Sequence, residues 1–426
     1  MAVVCAPAWA ATAVPGPHLR PDGHVSLAWL YGGTAADYRA QIDQAVGLSV
    51  ISPTWWYLDA DQPGALELAT DDELVTYAHD RGIAVWPLFG NHIDPDLTDQ
   101  VLRDPALRQQ VVQGIVAEVR RSGVDGVNVD FENLHDDTRF LLTQLVTDLK
   151  AALPDLVISV DVTAMTDTWV LDNWSTAFDR EGLARAADYV MLMAYDQHNS
   201  LRRDGPVAGL QWVTESTEFL LRTVPADKII LGLPFYSRDW ADDPTATQGV
   251  DLDATMGMAA MARRVAERSQ ATTFDPVAGQ DLHTYTDQAG RPHRVWLEDI
   301  ASLQRKTALL GSHGLAGIAA WRAGFEQPEV WLALDAQLST LAQPPAPTPL
   351  PTPTPPAIPT PPALAPPPMP PQPSALQVPP AGHPALAALP TPASSTSSRT
   401  TPIGIAGVVL AAAMIGVAGG LRGRRR

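Results

Sequence analysis

In the stretch Asp125-Gly126-Val127-Asn128-Val129-Asp130-Phe131-Glu132, polar and apolar residues alternate. Period two is the pattern of a β-strand, whose successive side chains point to opposite faces. Asn128, Asp130 and Glu132 then share one face, with neighbours roughly 7 Å apart along the strand. Val127, Val129 and Phe131 point the other way, into an apolar layer. Two carboxylates and an amide held side by side raise the pKa of at least one acid. An acid kept protonated near neutral pH is a general-acid candidate. An acidic strand end that merely caps a loop or helix is the simpler alternative. The apolar approach at residues 114–124 and the acidic exit weigh against it.

A strand of this kind needs a scaffold, and the chain supplies a repeating one. Apolar runs end in polar or aromatic residues at 25–31, 48–53, 83–89, 126–132, 156–162, 189–195, 229–236 and 315–321. Helical stretches between them include 71–81, 104–122 and 138–152. Asp104-Pro105 is a good helix opening, with Asp as N-cap and Pro in the first turn. Strands alternating with helices predict a parallel sheet, and a count of eight predicts a (β/α)8 TIM barrel. Periodicity alone leaves a doubly wound open sheet as the alternative. The segment 240–296 is too long for a single crossover. It carries a helical stretch at 256–269 and hairpin signals around Asp287-Gln288-Ala289-Gly290, and reads as a small α+β insertion between strands seven and eight.

In such barrels the chemistry sits at the C-terminal ends of the strands. The predicted ends carry Trp55, Trp56 and Tyr57; Asn91 and His92; Asp130 and Glu132; Met193, Tyr195 and Asp196; Phe235, Tyr236, Arg238 and Asp239; and Trp321 with Arg322. Aromatic faces stack on the apolar faces of sugar rings, while carboxylates and amides fix the hydroxyls. A single Trp is more often core than ligand; aromatics at several strand ends favour a sugar site.

These residues carry a resemblance. Asp125, Asp130 and Glu132 match the Asp-x-x-Asp-x-Asp-x-Glu signature of glycoside hydrolase family 18, the chitinase family, and Asn128 departs from it. Met193-Ala194-Tyr195-Asp196, the stretch Leu231-Gly232-Leu233-Pro234-Phe235-Tyr236 and Gly317-Ile318-Ala319-Ala320-Trp321 resemble further motifs of that family. The Asn form, with Ser52-Pro53-Thr54-Trp55 and Val295-Trp296-Leu297-Glu298-Asp299, is similar to its spore-germination and cortex-fragment branch. The resemblance covers most of residues 25–335 and implies the barrel rather than the open sheet. It implies substrate-assisted retaining hydrolysis, the family's exception to the two-carboxylate rule. Glu132 is then the acid, Asp130 orients the substrate's 2-acetamido group, and Tyr195 donates a hydrogen bond to it. Asp125, Asn128, Trp55, Asn91, Met193, Asp196, Tyr236, Arg238 and Trp321 are the expected substrate-binding residues. Asn128 can hydrogen-bond Asp130 but cannot take its proton. The substrate must carry an N-acetyl group beside the scissile bond, as chitin, peptidoglycan and N-glycan cores do. Peptidoglycan stands slightly ahead, although no cell-wall-binding repeat is apparent. The alternative is a binding-only surface protein on the same fold; retention of the acids favours the enzyme.

Composition bounds the partners. With the five arginines beyond Asp335 set aside, 24 basic residues face 47 acidic ones, a balance of −23. That body does not seek nucleic acid or anionic membrane by charge. The one cysteine, Cys5, excludes a disulfide framework and a Cys-based zinc site. Asp94-Pro95-Asp96 lacks the Gly and distal Glu of a calcium loop, and Glu132-Asn133-Leu134-His135 lacks the second Glu-x-x-His of a di-iron site. No metal or cofactor is expected. His135 reads as a loop residue near the cleft mouth.

The ends of the chain differ from its middle. Residues 1–17 read as the remnant of a secretion signal, with Ala8-Trp9-Ala10 as a cleavage pattern. The barrel is expected over 18–341. Residues 342–401 form a Pro/Ala/Thr-rich linker that cannot bury a core and is expected to be disordered. Residues 402–421 are uncharged and long enough to span a bilayer, and the arginines in 422–426 predict a cytoplasmic tail. The expectation is a single-pass protein of the cell membrane with its barrel outside.

Overall fold

The computed structural model describes residue 20 and residues 22–199 and 203–341. The expected signal remnant, linker, membrane span and basic tail lie outside these residues. Among the described residues no helix is long and apolar enough to cross a membrane.

Eight strand positions close into a parallel barrel. They are Val25–Leu30, Val50–Leu58, a third formed by Ala84–Val85 and Leu88–Gly90, then Gly126–Asp130, Val157–Thr163, Tyr189–Met193, Ile229–Pro234 and Gly317–Trp321. Each pairs with the next, and the first strand pairs with both the second and the eighth, which removes the sheet edge. The open-sheet alternative is thereby excluded. Pro87 lies between the two pieces of the third strand, where a residue without an N–H interrupts the ladder.

Local chemistry sets the element ends. Asp104 caps the helix Pro105–Ser122 by accepting from the Ala106 and Leu107 amides, and Gly123 closes it at φ 70°, a backbone region that glycine enters without steric penalty. Asp94 likewise caps Pro95–Arg103. The acidic Asp94-Pro95-Asp96 motif is therefore a helix start.

The insertion begins earlier than the sequence suggests. Strand seven stops at Pro234, and Phe235 turns the chain, its N–H bonded to the Trp321 carbonyl and its carbonyl to the Met258 N–H. Tyr236–Asp242 is then a central strand of a separate antiparallel sheet. That sheet adds Val250–Gly257, Ala271–Asp275, Gln280–Thr286 and Pro292–Leu297, with the helix Met258–Arg268 against it. Glu298 joins the insertion to the barrel. Its buried carboxylate accepts from Lys306 Nζ at 2.5 Å, Ser302 Oγ at 2.5 Å and Gln280 Nε2 at 3.0 Å.

Candidate active site

Strand four puts Asp130 at its last position and Glu132 just beyond it, while Val127, Val129 and Phe131 are fully buried on the opposite face. Both acids line a cavity of about 260 Å³ at the C-terminal end of the barrel. Tyr195, Met193 and Asp196 reach it from the end of strand six, Asn91 and His92 from strand three, and Trp321 from strand eight. Trp29 and Tyr31 pack beside Trp321, with ring centroids 5.9 and 6.1 Å from it, and build an aromatic floor.

Asn91 fixes Glu132 through the backbone. Its Oδ1 accepts from the Glu132 N–H at 3.0 Å, and its Nδ2 donates to the Glu132 carbonyl at 2.8 Å. Thr98 Oγ1 accepts a second bond from Nδ2 at 2.8 Å. Asp196, held at φ 63°, accepts from Tyr236 OH at 2.5 Å and Arg238 Nη2 at 2.6 Å. Two glycines leave room for the rings. A Cβ on Gly90 would come within 2.8 Å of the Tyr57 ring, and one on Gly232 would meet the Leu192 carbonyl at 2.6 Å and the Tyr195 ring at 3.2 Å.

Burial dominates the electrostatics. It pushes Asp130 up to about 7. Glu132 is held well above the usual carboxylate range by burial first, then by the charges of Asp130 and Asp196. Tyr195 is raised too, by burial and by the acids around it. An acid that stays protonated near neutrality beside one poised to ionise is a proton donor with an electrostatic partner.

Several expected binding residues lie elsewhere. Strand two runs on to Leu58, with an irregularity beside Trp55, so Trp55 is buried and Thr54 and Tyr57 face the cavity instead. Asp125 sits at the other end of strand four, where its Oδ2 accepts from the Val85 N–H and meets His79 Nε2, each at 2.8 Å. Tyr236 and Arg238 donate to Asp196 and are not among the lining residues. His135 also lies off the cavity, beside Asp96. Asn128, expected to bind substrate, is instead fully buried below the site, and its Nδ2 donates to Asp161 Oδ1 at 2.7 Å.

Sequence reasoning missed Asp161 altogether, although a lone acid in the apolar run 157–162 was a signal. It also missed Trp169, Leu171 and Trp174, which line the cavity from the segment after strand five. No periodicity marks that segment.

The sequence model described as "Glycosyl hydrolases family 18" matches residues 68–326, more than half of the chain. Among curated relatives, the chain is 25% identical over 272 residues to "Uncharacterized glycosylase YvbX" of Bacillus subtilis, covering 61% of this chain and 76% of that one. It is 33% identical over 244 residues to "Putative sporulation-specific glycosylase YdhD" of Bacillus subtilis, covering 56% of each. The chain thus spans little more than half the length of that second relative. The crystal structure of the Bacillus cereus spore cortex-lytic enzyme SleL superposes with a TM-score of 0.68 at 21% identity, covering 75% of each chain. At that identity the likeness speaks for the fold.

Proposed function

The chain belongs to the glycosyl hydrolases of family 18, and from that premise we propose that it cleaves β-1,4 bonds of N-acetylglucosamine-containing glycans by substrate-assisted retaining catalysis. The observation that carries the proposal is the meeting of Glu132, Asp130 and Tyr195 at one cavity with an aromatic floor. In this reading Glu132, kept protonated by its surroundings, gives its proton to the glycosidic oxygen. The 2-acetamido oxygen attacks the anomeric carbon, the leaving sugar departs and an oxazolinium ion forms. Asp130 faces the acetamido N–H and balances the positive charge; Tyr195 OH donates to the acetamido oxygen. Glu132, now ionised, takes a proton from the incoming water as the ring opens, which restores the acid and the original stereochemistry.

Peptidoglycan is the preferred glycan. The Asn form of the motif and the sporulation and cortex names of the relatives support it. The apolar run 402–421 and the arginines after it support a tether that holds the barrel outside the membrane. The test incubates the full chain and Glu132→Gln with chito-oligosaccharides and with purified peptidoglycan, and reads the products by mass spectrometry. Cleavage by the parent and a loss on the order of 10² to 10⁴-fold in the variant are expected. Binding without cleavage by the parent, at every pH, would overturn the roles and favour a sugar-binding surface protein.

A further inference from the structure

Asp161 is an acid that the mechanism above does not use. It is 1% exposed and lines the same cavity as Asp130 and Glu132. Strands four and five pair in parallel with Val129 opposite Val160. The next residues on each strand are Asp130 and Asp161, side by side at roughly the 4.8 Å spacing of neighbouring strands. Both side chains face the cavity.

The hydrogen bonds around Asn128 orient this pair. Asn128 Oδ1 accepts from Trp29 Nε1 at 2.8 Å and from Ser52 Oγ at 3.1 Å. An indole N–H only donates, so the amide oxygen must face it and the amide nitrogen must face Asp161. Asp161 Oδ1 is therefore an acceptor, and a proton on Asp161 belongs on Oδ2. Asp130 Oδ1 is buried and has no hydrogen-bond partner among the described residues. A buried carboxylate oxygen without a donor is unfavourable. A proton on the neighbouring acid relieves it.

We propose that Asp161 and Asp130 share one proton across strands four and five, so that Asp161 is the positioning residue that sets the charge of Asp130. This rests on the reading of Asp130 as the group facing the acetamido N–H. In the resting pair one proton serves two carboxyl groups and the net charge is −1. As positive charge develops on the substrate, the proton moves wholly onto Asp161 Oδ2 and leaves Asp130 ionised. No proton enters or leaves the pair, so Glu132 remains the only group exchanging one with substrate and water. Asn128, a neutral amide, cannot hold that proton. The titratable groups that line the cavity with the pair are Tyr31 after strand one, Tyr57 on strand two, His92 after strand three, Glu132 just beyond strand four, and Tyr195 and Asp196 after strand six. Burial and the Asp130 charge hold Asp161 well above the usual range, in accord with the shared proton.

The first test does not depend on turnover. The full chain, labelled with ¹³C at the aspartate side-chain carboxyls, is titrated by NMR beside Asp161→Asn and the reciprocal Asp130→Asn. Each substitution is expected to lower the midpoint of the surviving partner by about one unit or more, since a like charge is removed. Unchanged midpoints in both variants overturn the proposal. The second test is kinetic. Asp161→Asn is expected to lower kcat by roughly 10 to 100-fold and move the pH profile, as loss of a supporting group does. The double exchange Asn128→Asp with Asp161→Asn returns a carboxylate to the pair from strand four, and recovery of most of that loss is expected. A single variant with the parent's kcat and pH profile, or a double variant no better than the single, overturns the proposal. A parent that cuts no N-acetylated glycan would instead sink the functional reading, and the titration would still judge the pair.

Discussion

Asn91 grips Glu132 by both ends of its backbone: one amide side chain accepts from the Glu132 N–H and donates to the Glu132 carbonyl. The backbone that carries the Glu132 carboxyl is thereby fixed beside the cavity. Asn91→Ala releases that grip. The expected result is a fall in kcat of up to about 100-fold with little change in KM, because small misplacements of a reacting group are expensive. Steady-state kinetics with a chito-oligosaccharide measure this. Equal loss in kcat and gain in KM would mean that Asn91 binds substrate instead.

Asp125 and Glu132 stand at opposite ends of one strand, and their variants should separate stability from turnover. Asp125→Ala leaves the Val85 N–H without its carboxylate, at a cost of about 1–3 kcal/mol. A lower Tm with kcat within a few-fold of the parent is expected. Calorimetry together with kinetics tests the division.

Trp321 offers its ring to the cavity beside Trp29 and Tyr31. Trp321→Ala removes a stacking surface worth about 1–1.5 kcal/mol, so KM should rise roughly tenfold. Binding of oligosaccharides to Glu132→Gln, with and without Trp321→Ala, gives the same quantity free of turnover.

The acids make folding stability depend on pH in an unusual direction. Asp130 is raised from 3.8 to about 7 by burial, so the folded state holds its proton where the unfolded chain has lost it. The stability tied to that proton is fully present below about pH 4 and is lost as pH rises towards 7. Asp161 and Glu132 shift in the same direction. Relative to the parent, Asp130→Asn should therefore gain Tm between pH 5 and 8, with the gap widening as pH rises. Thermal melts across that range check it; a constant gap would exclude the linkage.

Lys306 and Glu298 form a fully buried ion pair at 2.5 Å between the insertion and the barrel. Lys306→Met leaves Glu298 buried without its cation. A loss of about 3–5 kcal/mol is expected, and the double change Lys306→Met with Glu298→Leu should recover most of it. Denaturant unfolding of the three variants decides this.

How much of this was legible in the sequence follows from what each signal encodes. The alternation in 126–132 is local, and it was enough to put Asp130 and Glu132 on one face of a strand. The Asp104-Pro105 helix start is also local and needed no tertiary knowledge. Trp55 could not be placed from the sequence, because a one-residue irregularity in a strand exchanges its faces. Tyr236 was read as the end of strand seven because the turn at Phe235 is held by carbonyl and amide partners far away in sequence. The partner of Asn128 is decided by which strand lies beside strand four and in what register. Asp161 is 33 residues further along the chain, and only closure of the barrel puts its carboxylate against that amide and level with Asp130. Thus the sequence by itself determined which strand carries the acids and which family of chemistry they serve. The tertiary structure alone decided which side chains meet at the cavity, Asp161 beside Asp130 among them, because that depends on distances across strands, and no spacing along the chain encodes them.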